Sequence, residues 1–330
     1  MKKCVVIGSN AFSGQDFVDH VLNETDYNVI GTSRSEEKPN VFLKYKENKN
    51  LSRFQFNQFD LNSDISKFLD FLDSEKPDYI VNFAAQSEVA PSWEHPEHWF
   101  QTNTVSLSLM VNHLRKQTYL ERYLHISSPE AYGSCSGNVT EETPDNPSTP
   151  YAASKAAADM IASVYQKQYD FPALFVRSTN VYGARQQLFK IIPKTIVSLL
   201  SGKKIQLHGG GVAVKSYIHI RDISHGELDI LHKGRIGERY HLSPKQGVAV
   251  KDVVKEICNK LGKKFEDCVE VVAERPGQDA AYVIDSTKAQ KELDWKSEVS
   301  LEQGIEESVQ WVQDNWAEIQ KYPIDYRHKA

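Results

Sequence analysis

The sequence contains no apolar run near the ~20 residues that a membrane-spanning helix requires, so it offers no candidate for a bilayer span. The Met1-Lys2-Lys3 start is followed by only a short apolar stretch before a glycine-bearing turn, too little for the h-region of a signal peptide. Its four cysteines (Cys4, Cys135, Cys258, Cys268) show no CxxC spacing, which argues against a zinc ribbon or a disulfide framework. No metal site is expected, and a reducing cytoplasm is the expected compartment. There is no excess of positive charge: the net charge is −5, so the electrostatic footprint of a nucleic-acid binder is missing. An anionic ligand must then be met by locally placed Lys, Arg or backbone N–H groups. Internal repeats and low-complexity tracts are also missing, and the charged stretch 44–49 reads as a solvated loop.

The 330 residues, 40% of them hydrophobic, suffice for one large or two modest domains. Strand candidates run over 3–7, 27–31, 53–59, 79–83, 123–127 and 173–177. Helical patterns separate most of them, at about 13–22, 65–74, 99–118 and 151–169. Alternation of this kind implies βαβ units and a parallel sheet. Right-handed crossovers then give a Rossmann-type, doubly wound α/β domain. After about Val181 the loops gain Gly and Pro and the strands become short, which suggests a smaller C-terminal α/β lobe ending in a helix over 301–320. The expected division is 1–180 for dinucleotide binding and catalysis and 181–330 mainly for substrate, with the chain free to cross back into the first sheet.

The first strand ends in Gly8-Ser9-Asn10-Ala11-Phe12-Ser13-Gly14, directly before a helix. Small residues there let backbone N–H groups and the helix N-terminus approach a pyrophosphate. The spacing is G-x-x-A-x-x-G, with Ala11 where a middle glycine is usual. At the end of the second strand, Ser33-Arg34-Ser35 offers hydroxyls and a guanidinium, and no acid appears before Glu36. An acid would grip a ribose 2′-OH, whereas these groups suit a 2′-phosphate, so NADP is favoured, with NAD the alternative. Asp60 and Leu61 follow the third strand, where an adenine would lie. Ala84, Ala85 and Gln86 follow the fourth, leaving room for a cofactor to pass.

Tyr151 and Lys155 lie one helical turn apart on one face. A nearby cation favours the phenolate, making the tyrosine a usable base at neutral pH. Ser127-Ser128-Pro129-Glu130 ends the fifth strand, at a carboxyl edge where ligands bind.

Taken together, these motifs resemble the extended short-chain dehydrogenase/reductase family, specifically its nucleotide-sugar 4,6-dehydratases. Further landmarks are Asn82–Ser87, Asn103, Ser127–Gly133, Arg177–Gly183, Ser216–Asp222 and Arg275–Asp279, followed by Asp285, Lys288 and Leu293–Trp295. The resemblance implies that Ser128, Glu130, Tyr151 and Lys155 are catalytic and that Tyr151 and Lys155 also contact the cofactor. It implies substrate contacts at Ser87, Glu88, Asn180, Arg185, Lys215 and Arg275. Glu130 separates the reactions: elimination across C5–C6 needs a base for the C5 proton, and a 4-epimerisation or 4-keto reduction does not. Pro129 departs from the dTDP-glucose pattern, in which an aspartate serves as acid, but the GDP-mannose enzymes lack it too. Segments resemble each subfamily, so the nucleobase stays open. A C₂ homodimer, built on the helices over 99–118 and 151–169, is implied as well. The rival readings are a 4-epimerase or 4-keto reductase, and a non-catalytic NADP-binding sensor that would have no use for the Tyr–Lys pair.

Overall fold

A computed structural model describes residues 1–134, 138–273 and 283–329. Six strands come from the first 180 residues: β1 (Lys3–Ile7), β2 (Asn28–Ser33), β3 (Phe54–Gln58), β4 (Tyr79–Asn82), β5 (Arg122–Ile126) and β6 (Ala173–Ser178). A seventh, Arg239–Leu242, is contributed from beyond residue 181 and pairs in parallel with β6. The order across the sheet is Arg239–Leu242, β6, β5, β4, β1, β2, β3. Every pairing in it is parallel, as crossover connections require.

Both faces of the sheet are covered, which explains why β1 reads as a continuous apolar run rather than an alternation. Cys4 and Val6 pack on one face with Phe17 and Val21 of α1 (Phe12–Glu24) and with Ile223 and Leu231 of the helix Ile220–Lys233. Val5 and Ile7 pack on the other with Leu107, Met110, Ala158 and Ala162. A second core, including Ile196, Ile205, Val254, Trp311 and Val312, binds three two-stranded sheets and their helices.

Three expectations are corrected in detail. The helix expected over 99–118 begins at Pro96, passes through a π-helical turn at Gln101–Ser106 and ends at Leu114. The one expected over 301–320 ends at Asp314 and resumes at Trp316–Ile319, with Asn315 Nδ2 donating to the Trp311 carbonyl at the break. Stretch 44–49 is not a solvated loop: Tyr45 is fully buried, and Lys44 bridges Asp16 at 3.3 Å and Asp19 at 3.1 Å. No helix among the described residues is long and apolar enough to cross a membrane.

Candidate active site

The glycine turn is shaped by close approach. Gly8 has φ +88°, and a Cβ there would sit 2.8 Å from the Ala84 backbone nitrogen. A Cβ on Gly14 would lie 2.3 Å from the Gly8 carbonyl oxygen, so this second glycine lets α1 start against the turn. Ala11 is the N-cap of α1 and supplies no side-chain cap, and the first helical turn carries no acid. The helix N-terminus is therefore left for an anion to satisfy. Ser9 is fully buried, and its hydroxyl faces the Thr32 carbonyl at 3.5 Å.

Along the carboxyl edge of the sheet runs a cleft of about 310 Å³. It is lined by Gly8, Asn10 and Ala11, by Ser33, Arg34 and Ser35, by Asp60 and Leu61, and by Ala84, Ala85, Gln86 and Ser87. Asn10 fastens the turn to the end of β2: its N–H donates to Ser33 Oγ at 2.9 Å and its amide to the Ser35 and Glu36 carbonyls. Asn103, in the π-helical turn, holds Gln86 at both backbone groups (2.8 and 3.0 Å) and donates to Ser154 Oγ at 2.9 Å. A π turn at a ligand cleft fits the functional use of such distortions. The cleft, the Gly8 turn and the uncapped helix together fit a dinucleotide.

A second cavity of about 280 Å³ adjoins it, sharing Ala11, Phe83, Ala85, Ser87 and Gln187. Into it come Phe12 and Ser13 from α1, Ser128 and Glu130 after β5, Tyr151 and Lys155, and Asn180. The helix Pro150–Tyr169 presents the last pair because its start is fixed: Thr149 Oγ1 accepts from the Ala152 N–H, and Pro150 takes the first turn. Ser128 likewise accepts from the Glu130 N–H at 3.2 Å, so hydroxyl and carboxylate face the cavity from one tight turn. Asn180 Oδ1 is buried there with no hydrogen-bond partner.

Beneath the cavity lies a polar network that the sequence reading missed. Lys155 Nζ donates to the Ile126 carbonyl at 2.7 Å and faces His125 Nε2 at 3.4 Å. Asp159 accepts from Ser127 Oγ at 2.7 Å and from Arg177 Nη2 at 2.6 Å, while Arg177 Nη1 also donates to Asp145 at 2.6 Å. Burial lowers Lys155 to about 8, with Asp159 pulling against it. Burial also lowers His125, to about 3, with Lys155 adding to the effect. Burial disfavours the Asp159 carboxylate, but Arg177, His125 and Arg239 together outweigh it and hold the group below its usual range. Tyr151 corrects an expectation. Burial first, then the Glu130 carboxylate, push its phenol up, and the Ser128 hydroxyl only partly offsets them. Lys155 is engaged at the Ile126 carbonyl instead of the phenol.

Four expected substrate contacts lie elsewhere or outside view. Arg185 forms a pair of hydrogen bonds to the Glu47 carboxylate, both 2.9 Å, and does not line the cavity. Lys215 sits on the two-residue strand Val214–Lys215, also away from the lining. Glu88 accepts from Lys190 Nζ at 2.5 Å, and it is Lys190 that lines the cavity. Arg275 falls outside the described residues. Lys190 and, in the cleft, Lys38 were not anticipated. Asp159 alone had a signal: positions 151, 155 and 159 recur at helical spacing on one face.

Residues 5–308 match the family model described as GDP-mannose 4,6 dehydratase. The chain belongs to the nucleotide-sugar 4,6-dehydratases of the extended short-chain dehydrogenase/reductase family. Among curated relatives, the dTDP-glucose 4,6-dehydratase of Xanthomonas campestris pv. campestris is 34% identical over 76% of each chain. That of Haemophilus influenzae is 29% identical over 94% of this chain and 98% of its own. Among solved structures, the dTDP-glucose 4,6-dehydratase of Bacillus anthracis in complex with NAD superposes with a TM-score of 0.86. It is 30% identical, covering 96% of this chain and 97% of that one. The UDP-glucose 4-epimerase of Thermotoga maritima, at 23% identity and TM-score 0.86, shares the fold. Family membership makes the chain a hydro-lyase rather than a net oxidoreductase.

Proposed function

We propose that Ser128, Glu130, Tyr151 and Lys155 convert a nucleoside-diphosphate hexose into its 4-keto-6-deoxy derivative with loss of one water. The observation that carries this reading is the convergence of Glu130 with Tyr151, Ser128 and Lys155 on one cavity contiguous with the dinucleotide cleft. A bound nicotinamide dinucleotide supplies the hydride acceptor at C4 and the donor at C6. Ser128 and Tyr151 hold the C4 oxygen, and Tyr151 takes the 4-OH proton. A phenol pushed up by burial is a strong base once ionised, and a bound cationic nicotinamide together with the Lys155 ammonium would favour the phenolate that takes the 4-OH proton. The C4 ketone acidifies C5–H, Glu130 removes that proton, and the C6 hydroxyl leaves as water. With Pro129 in place of an acid, Glu130 returns the proton to the leaving oxygen itself, and after hydride addition at C6 a proton from solvent completes C5.

NADP is the cofactor this reading favours, on the grouping of Ser33, Arg34, Ser35 and Lys38 in the cleft, with Glu36 outside its lining. The substrate diphosphate is met by Lys190, displacing Glu88, with Asn180 beside it and Arg275 as a further candidate. The assembly is a C₂ homodimer. Val105, Leu109, Met160 and Val164, at helical spacing on the two adjoining helical segments, expose 44–56% of their surface, an apolar face suited to a second copy. The described cysteines are buried and free, in keeping with a reducing compartment.

The test is product formation from a panel of GDP-, UDP- and dTDP-hexoses followed by mass spectrometry. A product lighter by one water supports the reading. Conversion without a change of mass, as a 4-epimerase would give, contradicts it.

A further inference from the structure

The segment 323–329 follows the Trp316–Ile319 helix and forms part of the wall of the dinucleotide cleft, which Tyr326, Arg327 and Lys329 line. Its course is fixed at both ends. Toward its start, Ile324 packs on the second core, Asp325 pairs with Lys194 at 2.8 Å, and the Tyr326 ring meets that of Phe189 edge-on at 5.2 Å. Toward its end, the His328 ring stacks 5.1 Å from that of buried Trp99. The Lys329 carbonyl then accepts from Gln86 Nε2 at 2.8 Å and from Arg34 Nη1 at 3.4 Å. These last contacts set Lys329 beside the end of β2.

Charge in this part of the cleft is one-sided. Arg34, Lys38, Arg327 and Lys329 all line it, and Asp60 is the one carboxylate among the described lining residues. Asp60 accepts from the Asn62 N–H at 2.9 Å. Among the described residues, no carboxylate forms an ion pair with Lys38, Arg327 or Lys329. Lys38 and Lys329 are electrostatic neighbours: burial first, then the Lys329 ammonium, lower Lys38 to about 8. Two ammonium groups held near each other repel, and an anion bound between them would offset that repulsion.

We propose that Lys329, carried by the 323–329 segment, joins Lys38 and Arg34 in holding the 2′-phosphate of the cofactor. The phosphate site is thus assembled from the end of β2 and from a residue 295 positions beyond Arg34. A phosphate monoester carries about −1.5 to −2 charges at pH 7, more than one cation neutralises. NAD has a hydroxyl in its place, so Lys329 acts on the choice between the two dinucleotides and leaves their shared part alone. The proposal rests on reading NADP as the cofactor of this cleft, and the experiment separates the two.

The full chain, freed of bound cofactor, is titrated with NADP and with NAD by calorimetry as wild type, Lys329→Met and Lys329→Arg. Both variants keep the backbone carbonyl that Gln86 and Arg34 bind, so the segment keeps its anchor. Lys329→Met should weaken NADP by about 10-fold or more and change NAD by less than about 2-fold. Lys329→Arg, which keeps the charge, should retain most of the NADP affinity. A wild type that prefers NADP, with the same preference in Lys329→Met, overturns the role of Lys329 and leaves that of Ser33, Arg34 and Ser35 standing. Equal weakening of NADP and NAD in Lys329→Met also overturns it, because it marks a wall that supports the cleft without selecting. A wild type that binds NAD as tightly as NADP overturns both readings.

Discussion

The Lys155 ammonium faces the His125 ring across 3.4 Å, in a place where neither side chain meets solvent. One of two groups so placed must give up its charge, and His125, at about 3, does so entirely. Lys155 keeps its proton at neutral pH with little margin, at about 8. Behind them Asp159 and Arg177 form a buried ion pair that sets the field in which both titrate.

Lys155→Met should therefore separate stability from activity. The folded-state pKa lies below the unfolded value of 10.5, so folding disfavours the charged form at pH 7. At ~1.4 kcal/mol per unit this costs roughly 3–4 kcal/mol, which the variant recovers. Between about pH 8 and 10.5 the unfolded chain binds more protons than the folded one, so wild-type stability contributed by this group rises with pH there. The variant should lack that rise. Urea unfolding of both proteins at pH 7 and pH 9.5 measures it, alongside a loss of turnover. A less stable, still active variant would contradict the assignment.

Arg34→Asp should move cofactor preference from NADP toward NAD. It replaces a guanidinium in the cleft by a carboxylate that repels a 2′-phosphate, and a charge-assisted hydrogen bond is worth about 1.5–3 kcal/mol. The ratio of NADP to NAD affinity should fall by roughly 10- to 100-fold. Calorimetric titration with each dinucleotide reads it directly. Equal or tighter NAD binding by the wild type would remove the role given to Ser33, Arg34 and Ser35.

What could be read from the sequence followed a physical pattern. Strands buried on both faces leave apolar runs, and β1, β4 and β6 were visible for that reason. Gly8 and Gly14 stood out by their place in a turn and Tyr151 and Lys155 by sharing a helical face, whereas Ser128 and Glu130 were singled out by resemblance; the fold brings the last four to one cavity. The His125–Lys155–Asp159–Arg177 network was not, since its members lie on β5, the Pro150–Tyr169 helix and β6 and meet only after the sheet forms. Arg185 and Lys215 were expected among the substrate contacts on resemblance. In the fold, Arg185 pairs with Glu47, and Lys190 is a cation lining the cavity. The contact of the Lys329 carbonyl with Gln86 and Arg34 gave no local sign, because these partners are far away in sequence.

Dehydration rests on Glu130, and the most direct measurement is the rate of Glu130→Gln in deuterated solvent on whichever nucleotide hexose the wild type converts. Oxidation at C4 calls on Ser128, Tyr151 and Lys155 and needs no carboxylate, so substrate binding should persist. Removing a positioned general base typically costs ~10²–10⁴-fold. Formation of the 4-keto-6-deoxy product and incorporation of solvent deuterium at C5 should both fall by that factor. Product formation at the wild-type rate with full C5 exchange would contradict the account.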